Sequence, residues 1–407
     1  MSAAPPGGLS RWLRTNLFRS WADGVVSVVA GTALGYSGYR LVRFVAVTGR
    51  WDIIRDNLTL FVVGRYPRDQ LWRPAVALIV AASLAGLLAG AIARRQQQAM
   101  DDGERERVDV SIGARVRDLV DRFWPALVAA LVLLSLTATA RPWLVVAATL
   151  AASLAGRVLG ARLPRSALAP LVVVAVAAPF VMVWFLARAV GWDDWGGMML
   201  NVFLALAAII LCFPLGVLLA LARRSKLPLL RGVATGYIEL FRGSPLFVLL
   251  LMASVALGFF VPQSLAPGKV VRAIVVLTLF TAAYLAEIVR GGLQSLPPGQ
   301  EEAGKALGLS PVRITTWIVL PQALRNVIPA QVGQLISLFK DTTLAGAAMG
   351  LFDVLTVGEA VPKQPEFAGQ GLLAETFVFV GVLFWVGSYT RSRESQRLEA
   401  RLGVGSR

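Results

Sequence analysis

Apolar runs of about 17 to 25 residues recur along this chain, and each is long enough to cross roughly 30 Å of hydrocarbon as an α-helix. We read about ten of them, at 22–47, 75–93, 123–139, 143–161, 167–188, 198–222, 244–262, 271–290, 326–349 and 372–390. A backbone in lipid has to satisfy its own hydrogen bonds, so the runs predict an all-α, polytopic membrane protein of about ten transmembrane helices. Composition agrees, because 56% of the 407 residues are hydrophobic, only 16% are charged, and the mean hydropathy is +0.66. Arg40 and Arg43 interrupt the first run, and Lys340 with Asp341 interrupt the ninth, so a re-entrant, tilted or broken helix is the alternative at each.

Lysine and arginine outnumber aspartate and glutamate by 40 to 24, a formal net charge of +16. The basic residues sit at the ends of apolar runs instead of in one patch, which speaks for membrane orientation and against a nucleic acid partner. An N-terminus inside places Arg11, Arg14 and Arg19, the loop at 94–122, residues 223–242, the segment 301–321 and the tail from 391 in the cytoplasm. Both termini are then cytoplasmic, and the Gly191–Gly197 loop, with Asp193 and Asp194, lies outside. The loop at 48–74 goes against the charge rule. It carries Arg50, Arg55, Arg65, Arg68 and Arg73 against Asp52, Asp56 and Asp69, yet the later segments put it outside. The polar, Pro/Gly-rich start MSAAPPGGLSRWLRTN has no cleavable-signal pattern, so the first run is expected to remain as a span.

Histidine is absent, which excludes a zincin HExxH site, a Ser–His–Asp triad and a histidine proton shuttle. The single cysteine, Cys212, falls inside an apolar run and is expected to pack there. Gly299 to Lys305 fits the G-x-x-x-x-G-K part of a phosphate-binding loop, but Ala306 follows where Mg²⁺ needs Ser or Thr. Glu301 and Glu302 would repel the phosphates, and Leu296-Pro297-Pro298 is no buried strand. No catalytic residue, metal site or cofactor is therefore expected, and ATP hydrolysis is not assigned to this chain.

The segment EEAGKALGLSPVRITTWIVLP, residues 301–321, is a charged insert between long apolar runs. Gln300 to Leu307 are good helix formers, Gly308 suits a left-handed C-terminal turn, and Ser310 with Pro311 suits the start of a second helix that Pro321 should end. Ala303, Ala306 and Leu307 share one face, which fits either a partner's groove or the lipid headgroups.

Glu302-Ala303-Gly304, then Gly308, then Ile318-Val319-Leu320-Pro321 resembles the E-A-A, G and I-x-L-P signature of the cytoplasmic coupling loop in ABC import permeases, with Gly304 where alanine is usual. Residues 197–228, Tyr237–Leu246 (YIELFRGSPL), Ala283–Gly292 (AYLAEIVRGG) and Lys340–Leu344 (KDTTL) look like polar amino acid permeases of the histidine, glutamine and glutamate type. The long N-terminal half, with NLTLFVVGRYPRDQLWRP at 57–74, is similar to the extended permease of general L-amino acid importers. The resemblance implies a type I importer core in the C-terminal half and ATP-driven movement of L-amino acids across a bacterial inner membrane. Its implied partners are an ABC ATPase dimer, a second related permease, a periplasmic amino acid-binding protein and the membrane lipid. The coupling contacts it implies are Glu302, Ala303, Gly304, Gly308, Leu309, Ile318, Leu320 and Pro321.

The expected division is an accessory membrane half at 1–194 with a charged cytoplasmic linker near 94–122, a permease core at 195–391 with the coupling loop at 299–321, and a tail at 392–407. No internal sequence repeat stands out. Within the core, Lys340, Asp341, Thr342 and Thr343 form the strongest intramembrane polar cluster, expected near mid-membrane. An amino acid needs a cation for its carboxylate and an acceptor for its ammonium, which Lys340 and Asp341 would supply; the alternative is that they neutralise each other at a helix contact or hinge. Glu287 and Arg290, one turn apart, form either a structural pair or a gate element, and Asn201 bonds either substrate or a neighbouring helix. The bend at Gly243-Ser244-Pro245 is expected to be fixed. Two other function classes remain open on sequence: a proton- or sodium-driven transporter using Glu287 and Asp341, and a membrane enzyme using Asp193 or Asp194 with a metal.

Overall fold

The long apolar runs fold as helices wherever the computed structural model describes them, which is at residues 13, 15–101, 142–256, 261–262 and 266–402. The run at 123–139 and most of the linker at 94–122 lie outside the described residues, as do Arg11 and Arg14. Among the described residues there is no β-strand, only one isolated bridge between Gly197 and Asp353. Six described helices are long and apolar enough to cross a membrane, or seven if one bent pair counts as a span.

The chain forms two compact units, Met1–Asp52 and Ile53–Arg407. The first holds helix α1, Trp21–Arg43, whose N-terminus is capped by the Ser20 hydroxyl accepting from the Asp23 amide at 3.1 Å. Arg40 and Arg43 fall in its last turn and do not break it; a π-helical turn, Phe44–Thr48, follows directly.

The second unit begins with a helix inside what the sequence presents as a connecting loop. Helix α2, Asp52–Val63, buries Ile53, Ile54, Leu58, Phe61 and Val63 along one face. Phe61 meets Phe379 edge to face with centroids 5.1 Å apart, and Asn57 accepts from the Gln364 amide at 3.0 Å. The helix ends at Gly64, in the left-handed region at φ 65°, pressed so close to Gly196 that a Cβ would collide with its backbone.

Helices α3, Trp72–Asp101, and α4, Pro142–Gly160, expose a repeat that sequence reading overlooked. AASLAGLLAG at 81–90 recurs as AASLAGRVLG at 151–160, and the two copies pack on each other. A Cβ on Gly86 or Gly90 would strike the carbonyl oxygen of Ser153 or Arg157, and one on Gly156 or Gly160 would strike that of Ser83 or Leu87. These partners advance together along both helices, so the pair is parallel and in register, with backbones in contact through a G-x-x-x-G on each side. Helix α5, Leu168–Ala187, packs on α3, where Arg73 donates to the Phe185 carbonyl at 2.8 Å.

The C-terminal part is built on α6, Gly197–Arg223, and α9, Lys269–Gln294. Leu200, Leu204, Ala208 and Cys212 of α6 form a buried core with Ala273, Leu277, Ala282 and Leu285 of α9. Gly216 lets the two approach, since its Cβ would lie 2.8 Å from the Leu285 Cβ. Between them, α7, Pro228–Gly243, and α8, Leu246–Val255, meet at a bend of 99° across Ser244-Pro245. Of the run expected at 244–262, the described residues form a helix of 10 residues that follows Pro245, and residues 257–260 lie outside the described residues.

After the coupling segment, α11, Leu320–Asp341, and α12, Thr343–Met349, divide the ninth run at Thr342. Gly350 closes α12 in the left-handed region at φ 67°. Helix α13, Val354–Ala360, and the long α14, Leu373–Leu402, complete the unit.

Candidate functional site

The coupling segment folds as two short helical stretches locked face to face. Helix α10, Gly299–Ala306, ends in a Schellman turn: the Leu309 amide donates to the Gly304 carbonyl at 3.1 Å and the Gly308 amide to the Lys305 carbonyl at 2.9 Å. Gly308 sits at φ 72°, the left-handed conformation its position suggests. Ser310 then caps Pro311–Arg313 through the Arg313 amide, and the chain passes through a π-helical stretch, Ile314–Val319.

Pro321 does not end this helix. The π turn already gives up the i to i−4 pairing where proline lacks its N–H, so the helix continues from Leu320 to Asp341. Gly304 also acquires a reason: it is buried, and a Cβ there would lie 2.9 Å from Ile314 Cγ1. The residue that departs from E-A-A thus lies beneath the loop, where the π-helical stretch packs. Glu302 and Ala303 stay exposed above it, and Leu309, Ile318 and Leu320 are half-buried. Leu307, Val312 and Trp317 are 78%, 70% and 69% exposed. Exposed apolar side chains on a rigid loop make a surface suited to a partner.

Behind the loop, Glu287 is shared by three guanidinium groups from three helices. Arg290 donates to it from one turn along α9 at 2.7 Å, Arg223 from the end of α6 at 2.5 Å, and Arg242 of α7 lies 3.7 Å away. Arg223 also reaches Glu239 at 2.9 Å. The expected pair of Glu287 and Arg290 is therefore part of a larger cluster that holds α6, α7 and α9 together. The next residue, Arg224, reaches Glu301 of α10 at 3.4 Å, a long and exposed contact worth little by itself. Adjacent arginines thus connect the core cluster to the coupling helix. Sequence reading treats Arg223 and Arg224 only as orientation markers, because their partners lie far along the chain.

Toward the other end of α6, Asn201 is fully buried and spends both ends of its amide on protein. Its Nδ2 donates to Thr342 Oγ1 at 3.0 Å and Asp353 Oδ2 at 3.1 Å, while its Oδ1 accepts from the Val354 amide at 3.0 Å. Thr342, also fully buried, donates to the Phe339 carbonyl at 2.8 Å. Asp353 caps α13 by accepting from the Thr356 amide at 2.9 Å, and Gly346 is packed so tightly on its carboxylate that a Cβ would overlap it. Asp353 was missed by sequence reading; its D-x-x-T cap pattern is visible, but the burial is not.

This network fixes the break between α11 and α12, beside which Lys340 is exposed and Asp341 half-buried. Neither makes a salt bridge among the described residues, so they do not neutralise each other by direct contact. Helix α11 starts at Leu320, so Lys340 is about 30 Å along it at 1.5 Å per residue. With Asn201 one turn into α6, the cluster lies toward the end of α11 remote from the coupling loop, and that helix starts earlier than its apolar run. Replacing Asp353 by alanine removes a cap and a buried acceptor, and is expected to cost about 2 kcal/mol of stability. Thermal unfolding in detergent checks this, and an unchanged midpoint would count against the network.

Residues 212–390 match the family of binding-protein-dependent transport system inner membrane components. The inner membrane amino-acid ABC transporter permease protein YhdY of Escherichia coli K12 is 30% identical over 415 residues, covering 97% of this chain and 93% of that protein. The chain belongs to this permease family. The glutamate/glutamine/aspartate/asparagine transport system permease protein BztC of Rhodobacter capsulatus is 41% identical over 210 residues, 52% of this chain and 48% of its own length. A crystal structure of an amino acid ABC transporter aligns at 26% identity with a TM-score of 0.44, over 49% of this chain and 90% of that one.

As an inner membrane component of a binding-protein-dependent ABC transport system, the chain is a permease subunit and not an enzyme; ATP hydrolysis belongs to a separate subunit. Membership implies ATPase, substrate-binding and second permease partners. The ion-driven transporter and the membrane enzyme gain no support from these relationships.

Proposed function

We propose that this permease carries L-amino acids from the periplasm to the cytoplasm, delivered by a periplasmic binding protein and powered by an ATPase dimer that grips the loop at 299–321. The observation that carries the reading is the exposed face of Glu302, Ala303 and Leu307, held rigid by the Gly304–Ile314 contact and the Gly308 turn. Residues 195–391 form the permease core, 1–194 an accessory membrane half, and 392–407 a tail, with both termini in the cytoplasm. The core pairs with a second related permease.

Lys340 and Asp341, beside a helix break and without salt-bridge partners, supply the charges that a zwitterion requires. Asn201 and Thr342 position that break, and Glu287 with Arg290 holds the inner helix ends in place as the loop moves. Reconstitution with the ATPase and binding protein is expected to give ATP-driven uptake of labelled amino acids. Uptake collapses in Glu302→Ala combined with Gly308→Asp, with membrane insertion intact. Equal uptake without ATP in both proteins would reject coupling through this loop.

A further inference from the structure

A cleft of about 340 Å³ opens between α2, the turn after it, and the segment that follows α13. Gly64 beside it touches Gly196 at the start of α6, so the cleft lies at the end of α6 remote from the coupling loop. Asp56 on α2 and Arg65 and Arg68 in the turn bring both signs of charge to its walls, and Gln364 closes it from the core side.

None of the three charged side chains makes a salt bridge among the described residues. The Arg65 guanidinium lies 4.3 Å over the Phe352 ring, which orients it without neutralising it. Asn57 and Gln364 are tied amide to amide at 3.0 Å, fixing the wall that joins the N-terminal segment to the core. Tyr66, another lining residue, is 2% exposed, and its buried hydroxyl has no hydrogen-bond partner among the described residues. Its ring packs edge-on against Trp195 in the buried core, which ties the cleft wall to the rest of the unit. Burial pushes the Tyr66 phenol above its usual range, opposed by Arg73, so it remains a donor. These arginines also belong to the loop at 48–74, where the charge rule for membrane orientation fails.

We propose that the cleft binds the free zwitterion of an amino acid, with Arg65 and Arg68 on the α-carboxylate and Asp56 on the α-ammonium. The proposal rests on the importer reading above and adds to it a holding site at the outer mouth, separate from Lys340 and Asp341. It gives the N-terminal segment a part in substrate handling, because neither this segment nor the core completes the cleft alone. Opposed charges in a small cleft suit an amino acid better than a simple anion, which would leave Asp56 unpaired and repelled.

The test uses the assembled transporter in lipid nanodiscs without its binding protein, titrated with labelled L-glutamine, L-glutamate and L-arginine in turn. Saturable binding of at least one is expected, weakened roughly tenfold or more by Arg68→Gln and by Asp56→Asn, since each removes a charge-assisted contact. Arg55→Gln, on the exposed side of α2 and outside the cleft, leaves binding unchanged. Glutarate, which lacks the ammonium, competes poorly. No binding of any of the three, equal binding in the cleft variants, or equal competition by glutarate overturns the proposal. So does a defect confined to affinity for the binding protein, which would make this a protein-docking surface. ATP-driven uptake by the wild type, measured with the binding protein added, separates the two readings: its absence rejects the importer, whereas normal uptake with unaffected binding in the variants rejects the cleft alone.

Discussion

Replacing Leu307 by aspartate is expected to stop ATP-driven uptake while leaving the protein folded and inserted. Leu307 is 78% exposed, so the substitution removes almost no packing within the chain. It places a carboxylate on the apolar face proposed to meet the ATPase, where a well-placed interface residue is worth about 2 kcal/mol or more, roughly 30-fold in affinity. Uptake and ATPase stimulation in proteoliposomes should fall together, and the purified ATPase should no longer be retained by the permease. Unchanged retention would show that the partner sits elsewhere. Ala303→Asp is expected to act in the same direction, since it shares that face, whereas Gly304→Val should unfold the loop by pushing Ile314 away.

Replacing Gly90 or Gly160 by leucine is expected to force α3 and α4 apart. A Cβ at Gly90 would run into the Arg157 carbonyl oxygen and one at Gly160 into that of Leu87, and both obstacles are helix backbone that cannot turn aside. Overpacking of this kind costs about 3 kcal/mol, at the upper end for core insertions. Ala89→Leu, one residue away and exposed, is the control and should be neutral. Thermal unfolding of the full chain in detergent distinguishes them, and a Gly90→Leu protein with an unshifted midpoint would refute the parallel contact.

Much of the coupling loop was legible before any coordinates. Gly308 announces a left-handed turn because its neighbours are helix formers, and Ser310-Pro311 announces a new helix, since these are local effects of backbone sterics and capping. Pro321 misled for the same reason. Its local rule says stop, but a π turn upstream had already surrendered the hydrogen bond that proline cannot make. The E-A-G variation likewise has no local explanation; it becomes clear only when Ile314 is seen against Gly304.

Long apolar runs in lipid leave the backbone no alternative to helices, so the surrounding medium and the element type were readable from the chain alone. Which charges meet was set by how the helices pack. Glu287 gathers arginines from α6, α7 and α9, Asn201 finds Asp353 from 152 positions away, and α2 turns an expected loop into a cleft wall. Such contacts depend on how helices rotate and cross, which is set by small residues such as Gly86, Gly216 and Gly346 letting backbones and side chains close in. Spacing along the chain carries the period of each helix but not the face its neighbour will take.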